Sequence, residues 1–509
     1  MTSRRFICIH GHFYQPPRDN PWLGEIETQK AAHPFHDWNE RITADCYRPN
    51  AAPRILDREG RPVSATNSYA KISFNFGPTL LSWLEKKAPD VYAAILEGDR
   101  VSAERFSGHG SAIAQAYNHV ILPLASRKDK VTQVVWGIRD FERRFGRFPE
   151  GLWLPETAVD TESLEVLAEQ GIRFTILAPH QADRARRIGE TSWHDVSGGR
   201  VNPRRPYGVC LPSGRSIVVF FYDGPVTRAV AFEQLLGSGE LLADRLLGQF
   251  DADASQTEDQ LVHIATDGET YGHHHRFGDM ALAFALHHLE TQGGVRLTNY
   301  GEYLAAHSPV DEASILESTS WSCSHGVGRW KEDCGCRTHP GTSQEWRAPL
   351  REALDALRDA LAPFFEARAS ELFADPWAAR DDYVQVVLDH EPATCDAFLR
   401  RHARRELPGA ERIAAVELLE LQRYALLMFT SCGWFFDDLA GLEGRQILQY
   451  AGRAIDLAER IGGSGSSFEA PFLFSLARAK SNDPERGDGR QVYEDFVRPA
   501  RAAHVFVAD

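Results

Sequence analysis

The chain contains no stretch approaching ~18 uninterrupted apolar residues, so no transmembrane helix is expected. Positive charge is also in short supply, with 56 Lys and Arg against 71 Asp and Glu and a formal charge of −15 at pH 7. Phosphate-rich partners need concentrated cations, and this balance argues against nucleic acid or an anionic membrane as the main partner. The basic clusters Arg184, Arg186, Arg187 and Arg401, Arg404, Arg405 are interrupted and read as solvated faces. Eight cysteines scattered over 509 residues do not make a disulfide framework and read as reduced thiols. Only four apolar residues, Phe6 to Ile9, precede the first histidine, far short of a secretory leader. A cytoplasmic location is expected, and no internal repeat is visible.

What is present is ample core-forming material: 43% hydrophobic and 10% aromatic residues, with 25% charged. At roughly 100 to 200 residues per domain, the length predicts two or more units. Short apolar runs at Phe6–Ile9, Lys71–Phe76, Gly151–Leu154, Ile172–Ala178, Ile217–Tyr222 and Leu261–Thr266 are separated by segments long enough for helices. That alternation predicts a parallel α/β sheet. One βαβ unit reads through completely: strand 151–154, an N-cap at Asp160 or Thr161, and Gly171 ending the helix before strand 172–178.

Residues 192–216 read as an inserted loop or hairpin turning at Pro212–Arg215, with the aromatics of Phe220–Tyr222 available to stack on sugars. From about residue 345 the spacing of Trp346, Leu350, Leu354, Leu357 and Leu361 is helical, and 411–436 reads as one long packed helix. Gly462–Ser467 reads as a flexible connector. The expected organisation is a catalytic barrel over 1–310, a substrate loop segment over 311–344 and an α-helical C-terminal domain over 345–509.

Two acids follow apolar, strand-like runs: Glu156 in Trp153-Leu-Pro-Glu-Thr-Ala158 and Asp267 in Thr266-Asp-Gly-Glu-Thr-Tyr271. In parallel α/β folds the functional loops lie beyond the C-terminal strand ends, and His10 and His12 follow the first run in the same way. A pair of carboxylates on one rim suits glycosidic bond chemistry, one as nucleophile and one as general acid/base. Glu269 competes with Asp267, being two residues on, although Gly268 makes a continuing strand doubtful. His10, His12, His119 and His273 are candidates for hydrogen bonds to sugar hydroxyls. Trp153, Trp321 and Trp330 offer flat faces for pyranose rings. Cys323, His325, Cys334, Cys336 and His339 carry zinc-type donors, but the spacing departs from Cys-x2-Cys, so reduced thiols are expected there and no metal or cofactor.

These segments together resemble the short motifs of glycoside hydrolase family 57, over roughly residues 5–335. His10-Gly-His-Phe-Tyr-Gln-Pro16 is similar to its first motif, with Phe13 and Tyr14 inserted; Asn118-His119 to the second; Trp153–Ala158 to the third; Asp267–His273 to the fourth. Ser320-Trp321 with Gly326 and Trp330 is a looser match to the fifth. The resemblance implies an incomplete (β/α)7-type barrel with an α-helical C-terminal domain, and a retaining hydrolase or glucanotransferase acting on α-glucans. It also implies Glu156 as nucleophile, Asp267 as general acid/base and an oligo- or polysaccharide as partner. Two other readings stand beside it: a metal-dependent carbohydrate deacetylase on a similar barrel, and a glucan-binding protein without catalysis.

Overall fold

The computed structural model describes residues 4–56, 61–251, 258–291, 294–463 and 467–505. Of the expected connector, 464–466 lie outside the described residues. The chain divides into two compact units, one of residues 1–15, 28–115 and 141–317, the other of 16–27, 116–140 and 318–509.

Seven parallel segments build the first unit: β1 (Arg5–Phe13), β2 (Ser73–Phe76), β3 (Ala114–Gln115), β4 (Leu152–Trp153), β5 (Phe174–Leu177), β6 (Ser216–Phe221) and β7 (Gln260–Asp267). Ladders join β7 to β1, β1 to β2, β3 to β4 and β5 to β6. Single parallel bridges, Phe74 to Ala112 and Gly151 to Phe174, carry the order across the short strands. Between β6 and β7 the Asp223 amide donates to the His263 carbonyl at 2.9 Å. The circuit is therefore a (β/α)7-type barrel whose β6–β7 seam is incomplete. The apolar runs are buried on both faces, which is why they read as continuous rather than alternating.

Six of these strands stand out as apolar runs; β3 does not, because its two residues are a small alanine and the polar Gln115, whereas the equally short β4 lies within the apolar run Gly151–Leu154. The βαβ unit forms as its punctuation requires: the Asp160 carboxylate accepts from the Ser163 amide at the start of helix Thr161–Glu169, and Gly171 takes a φ of +84° beyond its end. Strand Tyr207–Cys210 pairs antiparallel with β6 through the turn at Pro212–Arg215. The aromatics leading out of β6 are not the stacking surface anticipated for them: Phe220, Phe221 and Tyr222 are all buried, because β6 lies inside the barrel wall. Strand Asp311–Ile315 joins the same sheet beside Tyr207–Cys210 and Ala182–Arg187.

The second unit is helical. Helix Arg347–Ala369 buries Leu350, Leu354, Leu357 and Leu361. Helix Gly409–Leu427 packs on Leu442–Gly462. The long helix expected over 411–436 stops at Leu427, and a separate turn of helix follows at Cys432–Phe435. Apolar content continues through the break, so composition alone hides it. Among the described residues no helix is long and apolar enough to cross a membrane.

Candidate active site

His10 and His12 lie within β1 rather than after it, because β1 runs on to Phe13 and pairs His12 with Asp267 of β7. Their spacing of two puts both imidazoles on one face of the strand. Both rings stack on Trp153 of β4, with centroids at 5.0 and 4.9 Å. Trp153 is fully buried, so it backs the two imidazoles instead of presenting an open face to a ligand.

Asn75 of β2 organises the pair. Its Nδ2 donates to His12 Nδ1 at 2.9 Å and to Gln115 Oε1 at 2.8 Å, while its Oδ1 accepts from His10 Nε2 at 3.1 Å. His10 Nδ1 in turn meets Ser73 Oγ at 3.0 Å. With this amide orientation, neutral His12 carries its proton on Nε2. Burial holds both imidazoles neutral, lowering each to about 3. Both nitrogens of His10 are committed to hydrogen bonds, which disfavours its use as a ligand in the metal-dependent alternative. Asn75 and Gln115 were not among the sequence candidates; the available signal was a polar residue inside an apolar run, and it existed for Asn75 alone.

This network predicts a pH response. The unfolded chain protonates these imidazoles near pH 6.5 and the folded chain only near 3, so their contribution to stability is complete above about pH 6.5 and is lost as pH falls toward 3. Each group adds up to about 1.4 kcal/mol per pH unit to that loss. Urea midpoints measured from pH 7 to 4 are expected to fall less steeply in His12→Gln than in the parent chain. Parallel curves would contradict the neutral-imidazole assignment.

Glu156 follows β4 in a one-turn 3-10 segment, Pro155–Thr157, with φ 58° and ψ 20°; Thr157 also has a positive φ of 48°. Left-handed backbone at non-glycine residues costs on the order of 1–3 kcal/mol each and persists only when its surroundings impose it. Gln181 imposes it here. Its Nε2 donates to the Thr157 carbonyl at 2.8 Å and its Oε1 accepts from Thr157 Oγ1 and the Ala178 amide, each at 2.8 Å. The brace comes from beyond β5, so nothing local to the Glu156 segment announces it.

Asp267 ends β7, and its side chain is open to solvent. Even so, crowding by the surrounding protein, followed by the charges of Glu269 and then Glu156, pushes its carboxyl well above the usual carboxylate range. Glu156, Asp267 and Glu269 thus form one electrostatic group, and Tyr222 feels Asp267 as well.

Glu269 turns away from the strand direction into a buried position. Its Oε1 accepts from the Tyr47 hydroxyl at 2.5 Å and the Tyr14 amide at 3.0 Å, and burial raises its carboxyl to about 7. The turn depends on Gly268: a Cβ there would lie 2.2 Å from the Phe13 ring. Phe13 and Tyr14, the two residues inserted relative to the family motif, therefore have defined jobs, one packing on Gly268 and one holding Glu269. His273 Nδ1 lies 3.0 Å from Asp45 Oδ2 on the loop that continues from Asp267.

His119, Trp321 and Trp330 belong to the second unit. His119, at a φ of +54°, has its Nδ1 2.6 Å from Ser431 Oγ. Trp330 is buried and Trp321 half-buried. Cys323, His325, Cys334 and Cys336 converge in the same unit with their donor atoms all within 4.8 Å, whereas His339 Nδ1 instead meets Asp437 Oδ2 at 3.0 Å.

Residues 8–315 match the family model described as Glycosyl hydrolase family 57, and residues 343–508 match one described as a Domain of unknown function (DUF3536). An α-amylase of Pyrococcus abyssi is 22% identical over 335 residues, 63% of this chain and 43% of the relative. A 4-α-glucanotransferase of Thermococcus litoralis is 23% identical over 267 residues, 50% of this chain and 36% of the relative. The chain thus spans less than half the length of these curated relatives. Among solved structures, an exo-type maltose-forming amylase from Pyrococcus sp. ST04 superposes with a TM-score of 0.71 at 15% identity, covering 97% of this chain and 88% of that one. A family 57-type branching enzyme from Pyrococcus horikoshii gives 0.58 at 15% identity, covering 98% and 96%. These likenesses establish a shared fold, and the family match covers more than half of the chain. The chain belongs to glycoside hydrolase family 57.

Proposed function

We propose that this protein is a retaining glycoside hydrolase or glucanotransferase acting on α-glucans, with Glu156 as nucleophile and Asp267 as general acid/base. The observation that carries the reading is the crowding of charge around one acid at a strand end: burial, then Glu269 and Glu156, push the Asp267 carboxyl above the usual carboxylate range, which suits a proton donor. The names of the relatives, amylase, glucanotransferase and branching enzyme, supply the substrate class.

In the first half-reaction a Glu156 carboxylate oxygen bonds to the anomeric carbon as the glycosidic C–O bond breaks, and Asp267 gives its proton to the departing oxygen. In the second, the Asp267 carboxylate takes a proton from water or from an acceptor sugar hydroxyl. The oxygen so activated attacks the anomeric carbon and releases Glu156. Water gives hydrolysis and a sugar hydroxyl gives transfer. Incubation with glycogen, starch, maltooligosaccharides and trehalose, followed by product-length and linkage analysis, tests the proposal and separates the two outcomes. No turnover on any of them, with tight glucan binding retained, would overturn it in favour of a binding protein.

Glu269 enters as a positioning residue for the Asp267 proton. Above pH 7 its own charge helps keep that proton in place, which extends activity on the basic side. Glu269→Gln retains an oxygen for Tyr47 and Tyr14 but removes the charge. The basic limb of the kcat/KM profile is expected to move down by roughly 0.5–1 pH unit while the acidic limb stays. An unmoved basic limb would show that Glu269 does not tune the acid.

A further inference from the structure

We propose that Cys323, His325, Cys334 and Cys336 form a structural zinc site in the second unit, distinct from the carboxylate chemistry of the barrel. Sequence spacing argues against this, since Cys-x-His and Cys-x-Cys replace the usual Cys-x2-Cys pairs. The folded geometry reverses that judgement.

Cys323 Sγ lies 3.8 Å from both Cys334 Sγ and Cys336 Sγ, and Cys336 Sγ lies 3.6 Å from His325 Nδ1. A tetrahedral zinc with Zn–S bonds of about 2.3 Å and a Zn–N bond of about 2.0–2.1 Å sets its sulfurs about 3.8 Å apart and sulfur from nitrogen about 3.6 Å. These three separations match edges of that tetrahedron, and all four donor atoms lie within 4.8 Å of one another. A disulfide would need two sulfurs at about 2.05 Å and would leave the third thiol and the imidazole without a purpose at this point. Thiol–thiol contacts alone are weak and would not gather four soft donors from two arms of a loop.

The scaffold supports such a centre. The first arm contributes Cys323 and His325 and the second Cys334 and Cys336, separated by the turn Gly328–Trp330 with Trp330 buried. Gly328 permits the approach of the arms, since a Cβ there would sit 2.9 Å from Cys334 Cβ. Arg347 Nη1 donates to the Cys336 carbonyl at 2.8 Å, tying the second arm to the start of helix Arg347–Ala369. Three thiolates and one imidazole are a soft donor set that suits zinc, and four protein ligands leave no position open for substrate. The centre is therefore structural: it cross-links the loop carrying Trp321 and Trp330, a job that hydrophobic burial cannot do for a half-exposed segment.

The test is metal analysis of the full-length protein purified without chelators, expected to give one zinc per chain. Cys336→Ser and His325→Ala are expected to lower the zinc content at least tenfold, whereas His339→Ala keeps it, although sequence grouped His339 with the same cluster. Cobalt substitution gives a readout that does not depend on variants folding: the parent chain should show the intense visible bands of tetrahedral thiolate-bound cobalt. Sub-stoichiometric zinc together with a Cys323–Cys334 disulfide in peptide mapping would overturn the proposal, as would equal zinc retention in Cys336→Ser and the parent.

Discussion

Glu156→Gln is expected to reduce kcat/KM on any accepted glucan by roughly 10⁴-fold or more, the scale seen when a covalent nucleophile is removed. Glutamine matches the shape of glutamate, so the left-handed turn braced by Gln181 should persist and glucan binding should survive. What is lost is the anionic oxygen that bonds to the anomeric carbon. A smaller replacement sharpens the test: with Glu156→Ala, added azide should fill the vacated volume and yield a glycosyl azide of inverted configuration. Activity of Glu156→Gln within tenfold of the parent would remove Glu156 from the nucleophile role, whatever the family match.

Asp267→Asn should cost about 10²–10⁴-fold, and the loss should depend on the leaving group. A proton donor matters most when the departing oxygen is a poor leaving group, as in a natural glucan. Aryl glycosides with acidic phenols should lose far less in the first step, and the rescued azide product should keep the anomeric configuration of the substrate. A uniform loss across leaving groups would mean that Asp267 binds rather than protonates, and Glu269 would then be the next acid to test. Its buried carboxyl, held by Tyr47 and Tyr14, makes it the weaker candidate for direct contact with substrate.

Much of the barrel was legible before folding because buried parallel strands are continuous apolar runs, and Asp160 and Gly171 punctuate their helix by side-chain and backbone chemistry that acts locally. Glu156 and Asp267 were legible for the same reason, since each ends such a run. Strand β3 was not, because its two residues are Ala114 and the polar Gln115, which make no apolar run. The stop of helix Gly409–Leu427 was hidden too, since apolar residues continue beyond it. Nor could sequence show that Trp153 lies behind His10 and His12 instead of lining an open face, because burial of an aromatic is decided by what packs on it.

Sequence by itself determined the family, the alternation of strands and helices, and the two acids that end β7 and follow β4, all of which depend on residue type and short-range order. Tertiary structure decided the electrostatics and the company each residue keeps. Asn75 aligns two histidines from a neighbouring strand, Gln181 holds the Glu156 turn from beyond β5, and burial together with Glu269 and Glu156 pushes the Asp267 carboxyl above the usual carboxylate range. It also separated His339 from the four soft donors its spacing had grouped it with. Hydrogen bonds and charge repulsion act through a few ångströms of space, and neighbours at that range are set by the folded chain rather than by position along it.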